Sequence, residues 1–176
     1  TYISREYNMA FRKWTMDHFK HMNIAAFDPG FKGGLAIYSN NNIYTYPLPI
    51  LKLKKKTLLD CALLSDILIE HHIQKVVLEK VNAAPGQGVT SMFSFGKGLG
   101  QLIGMIQTLR LPYIEVTPQA WKKYHGLIKA DKKSSVSRCK QIFPNINLVQ
   151  RGCRVAHEGI AEALLLLKYG QSLLFL

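Results

Sequence analysis

Acidic residues are scarce in this chain: 11 Asp and Glu stand against 23 Lys and Arg, a formal net charge of +12 over 176 residues. Cysteine is nearly absent as well. Cys61, Cys139 and Cys153 form no CxxC pair and are odd in number, which argues against a disulfide framework and for a reducing compartment. No uninterrupted apolar run approaches the length of about 18 residues that a membrane-spanning helix requires. There is no GxxxxGK[ST] phosphate cradle, which demotes a nucleotide-binding ATPase to a distant alternative. Repeats and low-complexity tracts are also missing. What remains is a chain with 48% hydrophobic and 19% charged residues, the profile of a folded domain with its own core. At this length a single domain buries about 70% of the surface its unfolded chain exposes and needs no staple.

The positive charge is concentrated. From Lys80 to His157 there are twelve Lys and Arg against two acids, Glu115 and Asp131. Such a field concentrates polyanions and speeds their capture. Nucleic acid is the leading partner, ahead of an anionic membrane surface or a merely soluble basic face.

Residues 1–22 read as an extension set apart from the rest, with Ile3, Tyr7, Phe11 and Trp14 at helical spacing. A targeting presequence is the weaker alternative there, because Glu6 and Asp17 interrupt the basic residues. Residues 23–176 form the main domain. Ile24–Asp28, Gly34–Ser39 and Ile43–Tyr46 read as strands, followed by a Pro-containing connection with the basic run Lys52, Lys54, Lys55 and Lys56. A helix is expected over Thr57–His71, a strand over Gln74–Glu79 and a loop over Val81–Gly88. A glycine-dotted helix over Phe95–Leu109, a strand over Pro112–Val116 and a short helix capped by Thr117 come next. Lys132–Phe143 and Val155–Tyr169 close the chain as helices. Hairpin connections make the first three strands antiparallel, and helical crossovers favour parallel pairing for the later ones. The fold class is therefore α/β, a mixed five-stranded sheet with helices on its faces.

Given so few acids, those in apolar settings need a reason. Asp28 ends the strand IAAFD before Pro29-Gly30, at the strand terminus where open α/β sheets bind ligands; an ordinary turn aspartate reads equally well. Glu79 repeats the arrangement at the end of Val76-Val77-Leu78, and a glutamate is rarely buried without a partner. Glu158 and Glu162 lie four apart in HEGIAEALLLL and share one helix face, where like charges repel by about 0.2–0.5 kcal/mol even when solvated. A solvated helix stripe is the plain alternative, weakened because Leu165 and Leu166 continue the face of Glu162. Four carboxylates without a Cys or His cluster suit a hard, oxygen-loving ion, Mg²⁺ or Mn²⁺ rather than Zn²⁺. Two such ions about 3.5–4 Å apart serve phosphodiester hydrolysis. His157, beside Glu158, is a ligand, a proton shuttle or a structural residue.

The segments IAAFDPG, VVLEKVNAAPGQGVTSMFSFGKGLGQLIG, YIEVTPQAWKK and HEGIAEALLL resemble the RuvC-type Holliday-junction resolvases of the RNase H-like superfamily. The resemblance is to the branch containing the plant organellar resolvase called monokaryotic chloroplast 1 and its bacterial and phage relatives. It spans about Asn23 to Gly170. It implies an RNase H-like sheet and an intracellular, Mg²⁺-dependent endonuclease that cleaves four-way DNA junctions as a homodimer making paired symmetric nicks. It also places the metal-binding acids at Asp28, Glu79, Glu162 and Glu158. Relatives often carry Asp or His just upstream of the AEA element, where this chain reads His157-Glu158-Gly159, so the ligand there is His157 or Glu158.

The residues beside these acids suit DNA. Gly86, Gln87 and Gly88 sit in a loop whose glycines let backbone approach a ligand, and Thr90, Ser91 and Ser94 offer hydroxyls to phosphates. Phe93 and Phe95 are candidates for base stacking, with core packing as the equal alternative. Gly96, Gly100 and Gly104 make one thin helix face, expected to approach the sheet or a partner helix. Lys122, Lys123, Lys129, Lys132 and Lys133 form the best basic patch. Two rivals remain: a RuvC-like nuclease acting on other branched DNA or on RNA, and a basic DNA-binding protein without catalysis.

Overall fold

A computed structural model describes residues 22–174, apart from 55, 83–85 and 87. The proposed extension over 1–22 thus falls, except for Met22, outside the described residues. Twelve elements follow in order: β1 (Ile24–Asp28), β2 (Gly34–Ser39), β3 (Asn42–Pro47), β4 (Ile50–Leu53), β5 (Lys56–Leu59), α1 (Cys61–Glu70), β6 (Lys75–Glu79), α2 (Val89–Thr108), β7 (Tyr113–Val116), α3 (Pro118–Tyr124), α4 (Lys132–Ile142) and α5 (Glu158–Leu174). Five strands form the main sheet in the order β3-β2-β1-β6-β7. β1–β2 and β2–β3 are antiparallel, while β1–β6 and β6–β7 are parallel. This is the mixed α/β sheet expected from the connection lengths.

The central strands are apolar because both sheet faces are covered. Side chains alternate faces along a strand. Ile24 and Ala26 join Val77 and the α5 leucines in one core; Ala25 and Phe27 join Val76 and Leu78 under α1 and α2 in the other. Helix α5 buries Ile160, Ala161, Ala163 and Leu164 to Leu167, so it is apolar nearly all round and lies across the sheet centre. Small residues set its height. A Cβ at Gly34 would collide with the Gly159 backbone, and one at Gly170 would collide with Val77. Gly33 and Gly159 form an isolated bridge that pins the start of α5 to the β1–β2 turn.

Three local expectations change. The basic run after Pro49 is not a plain connection: β4 and β5 form a separate antiparallel hairpin, with Lys52 opposite Thr57 and Leu53 opposite Lys56. Thr57–Leu59 is therefore strand, and α1 begins only at Cys61, capped by Asp60, whose carboxylate accepts from the Leu63 amide at 3.1 Å. Helix α2 begins at Val89, six residues before Phe95, so Ser91 and Phe93 stand on its first turns rather than in the loop. Thr117 caps α3 as expected, accepting from the Ala120 amide at 3.3 Å with Pro118 at the first helical position.

Candidate active site

The β-sheet register brings the first two acids together. Phe27 pairs with Leu78 in the parallel β1–β6 ladder, and Asp28 and Glu79 are the next residues on their strands. Asp28 also pairs with Gly34, the residue on which Gly159 rests. The start of α5 thus meets the sheet beside the strand end that carries Asp28. Asp28, Glu79 and Glu162 are each half-buried, while Glu158 is exposed in the first turn of α5.

Glu79 and Glu162 lie close enough to influence one another. Burial pushes the Glu79 carboxyl above its ordinary range; the Trp121 hydrogen bond opposes this, the Glu162 charge adds to it, and Lys122 partly offsets it. The Trp121 indole Nε1–H donates to Glu79 Oε1 at 2.8 Å, and Trp121 is itself 1% exposed. Ser135, buried in α4, donates its hydroxyl to Glu162 Oε1 at 3.2 Å. Two half-buried carboxylates therefore lie within electrostatic reach of one another, with one nearby lysine and two neutral donors bonded to them.

His157 precedes α5 and caps it. Its Nδ1 accepts from the Ile160 amide at 3.1 Å, and its own amide donates to the Leu148 carbonyl at 2.8 Å. An Nδ1 that accepts leaves the neutral ring's proton on Nε2, which makes Nε2 a donor rather than a ligand in this arrangement. Glu158 carries no such constraint. Both border a cleft of about 590 Å³ together with Lys32, Lys133 and Cys153.

The basic residues divide around the acids. Lys122 stands with its Nζ 5.2 Å from the Trp121 ring centroid and acts on Glu79. Lys133 lines the α5 cleft, and Lys123 and Lys129 are exposed. Lys132 begins α4, and its side chain lies outside the described part. Asp131, one of the two acids in the basic stretch, caps α4 by accepting from the Ser134 amide at 2.9 Å.

In the loop before α2, Gly86 has φ +83°, a conformation that favours glycine, whereas Gly88 caps α2 with an ordinary φ of −64°. Gln87 lies outside the described residues. Phe93 is 75% exposed; Phe95 is half-buried, its ring against Gly30 in the turn after Asp28. Three residues at the site were not singled out by their type: Trp121, Ser135 and Lys32. Two of the positions carried a signal all the same, Trp121 inside TPQAWKK and Lys32 four residues after Asp28.

The donor set suits a hard divalent ion in its chemistry, since it is made of carboxylate oxygens whose mutual repulsion a cation relieves. Among the described residues, no group of three or more His, Cys, Asp or Glu side chains is drawn tightly enough together to hold a metal ion.

Solved structures share this architecture. Thermus thermophilus RuvC in complex with a Holliday junction substrate superposes with a TM-score of 0.57 and 14% identity, over 87% of this chain and 96% of that one. The chain has the RuvC fold. A second T. thermophilus RuvC structure gives a TM-score of 0.52 and 16% identity, over 86% and 96% of the two chains. The yeast mitochondrial Holliday junction resolvase Ydc2 gives 0.48 and 12%, over 88% and 80%. No protein-family model and no curated protein matches the sequence. At such identities the RuvC likeness is one of fold. No helix among the described residues is long and apolar enough to cross a membrane.

Proposed function

We propose that this protein is a divalent-metal-dependent endonuclease that resolves four-way DNA junctions. The observation that carries the reading is the half-buried Glu79–Glu162 pair at the tip of β6, one strand from Asp28, within a fold shared with a RuvC that binds a Holliday junction. Asp28, Glu79, Glu162 and Glu158 would hold Mg²⁺, with Mn²⁺ as a substitute. When bound, such ions activate water and stabilise the leaving oxygen of a phosphodiester. The chain's own residues do the rest. Trp121 and Ser135 fix the glutamates, His157 holds the start of α5, and Lys32 and Lys133 neutralise backbone phosphates at the cleft. The resemblance of the motifs favours the branch of monokaryotic chloroplast 1, and a bacterial or phage-infected cytoplasm or an organellar matrix is the setting that this reading implies.

A homodimer supports paired nicks, and the outer face of α2 suits it. The glycines Gly96, Gly100 and Gly104 do not approach the sheet: nothing lies within 4 Å of a Cβ built at any of them, while Gly98, Leu102, Met105 and Ile106 are the buried positions of α2. A second copy is the partner that accounts for a face this thin.

The test is a panel of four-way junction, flap, duplex and RNA substrates at equal salt, with Mg²⁺ and with chelator. Paired nicks confined to the junction and abolished by chelator are expected. Preferential cutting of a flap or RNA replaces the substrate; salt-sensitive binding without product in any lane removes the chemistry and leaves a DNA-binding protein.

A further inference from the structure

The basic run Lys52–Lys56 takes no part in the site described above, yet the fold brings it to a groove. A cavity of about 640 Å³ lies where the β4–β5 hairpin, the β1–β2 turn and the start of α2 meet. The hairpin gives it Lys56 and Thr57; α2 gives it Thr90, Ser91, Ser94 and Lys97. Phe31 forms the side nearest Asp28, three residues away in sequence, and Phe93 stands at the rim, 75% exposed. Among the described residues, no acid lines the groove. Lys52 pairs across the hairpin with Thr57, a lining residue, and so stands beside the groove. Lys52, Lys54 and Lys56 are all exposed.

Two lysines and four hydroxyls with no carboxylate form a surface for phosphate oxygens. Hydroxyl and ammonium donors contact backbone phosphates without reading sequence. A small anion would leave most of this length unfilled, whereas a strand running away from Asp28 meets donors from the hairpin and from α2. The groove lies on the α1–α2 side of the sheet, and the cleft of Lys32, Lys133 and Glu158 lies on the α5 side, so the two basic surfaces flank the sheet from opposite faces.

We infer that the β4–β5 hairpin and the first turns of α2 form a second DNA-backbone groove, which holds a junction strand beyond the cleavage point through Lys52, Lys56 and Lys97. This rests on the nuclease reading above and extends it to where the substrate leaves the site. The groove supplies affinity and steering rather than chemistry.

Salt dependence tests it, because each phosphate contact contributes about one unit to the slope of log K against log salt. Binding of a catalytically silent Asp28→Asn protein to a labelled four-way junction would be measured by fluorescence anisotropy from low to high salt. Four forms are compared: the parent, Lys56→Gln/Lys97→Gln, Lys56→Arg/Lys97→Arg, and Lys75→Gln/Lys168→Gln, which removes equal charge away from the groove. The groove pair is expected to weaken binding about tenfold or more and flatten the slope by about two. The control pair should leave the slope near that of the parent, and Lys56→Arg/Lys97→Arg should restore it. If the parent binds the junction and the groove pair behaves like the control pair, the groove is not a DNA site and the nuclease reading stands. A loss seen with single-stranded RNA but not with the junction overturns the DNA assignment. No salt-sensitive binding by the parent overturns both readings.

Discussion

Glu79 is a residue placed against its own stability. Its carboxyl is raised by burial and by the charge of Glu162, so the unfolded chain gives up this proton more readily and folding is opposed as pH rises above the ordinary carboxylate range. Glu79→Gln is therefore expected to raise the melting temperature measured with chelator and to abolish cleavage measured with Mg²⁺; a lowered melting temperature would mean that the charge is already well paired. Trp121→Phe keeps most of the buried ring and removes the Nε1–H that opposes the shift. It should raise the Glu79 pKa further and lower the cleavage rate about 10–100-fold, the usual range for removing a support of a metal ligand. An unchanged pH–rate profile would exclude that role. His125 gives a pH dependence unrelated to metal. It is 5% exposed, its Nε2–H donates to the Leu165 carbonyl at 2.8 Å, and burial holds its pKa below 6.5. The unfolded chain takes up this proton first, so stability should fall as pH drops below about 6.5 and level off above it. His125→Asn should flatten that part of the curve in chelator-treated protein.

At the scale of elements, legibility followed the locality of the signal. β1, β2, β6 and α3 were readable because strand runs, turn residues and the Thr-Pro cap are written in adjacent positions. The β4–β5 hairpin was not, since four lysines in a row of seven hide the alternation of Ile50, Lys52 and Leu51, Leu53. The early start of α2 was missed for a similar reason: Val89–Ser94 offers hydroxyls and no side-chain cap, and the helix there depends on Gly88 and on packing against the Gly30–Phe31 turn. The glycine face of α2 was visible as a pattern, but its direction was a tertiary matter. Its openness yields a paired prediction. Gly100→Ala adds a methyl in open space and should stabilise the isolated subunit by up to about 1 kcal/mol through helix propensity. Gly100→Leu should instead disperse the dimer in sedimentation velocity and uncouple the two nicks; a dimer that persists would place the interface elsewhere.

For the whole molecule, charge and fold divide the work. The +12 surplus suits a polyanionic partner; of the few acids, Asp60 and Asp131 cap helices, while Asp28, Glu79, Glu158 and Glu162 stand at the ends of β1 and β6 and in the first turns of α5. The sheet class and the candidate acids could be read from the chain because each acid interrupts an apolar run. Their mutual placement could not, since it depends on register between β1 and β6 and on glycine contacts between residues more than one hundred apart. The contacts of Trp121 and Ser135 were hidden for the same reason, although Trp121 lies in a motif visible in the sequence: only the packing of α3 and α4 turns them toward the glutamates. The claim beneath all of this is that Asp28, Glu79 and Glu162 close on one divalent ion. Anomalous diffraction from Mn²⁺-soaked crystals tests it most directly. The account predicts a peak coordinated by carboxylate oxygens of all three residues at about 2.0–2.3 Å. No peak there, or one reached by a single carboxylate, would contradict it.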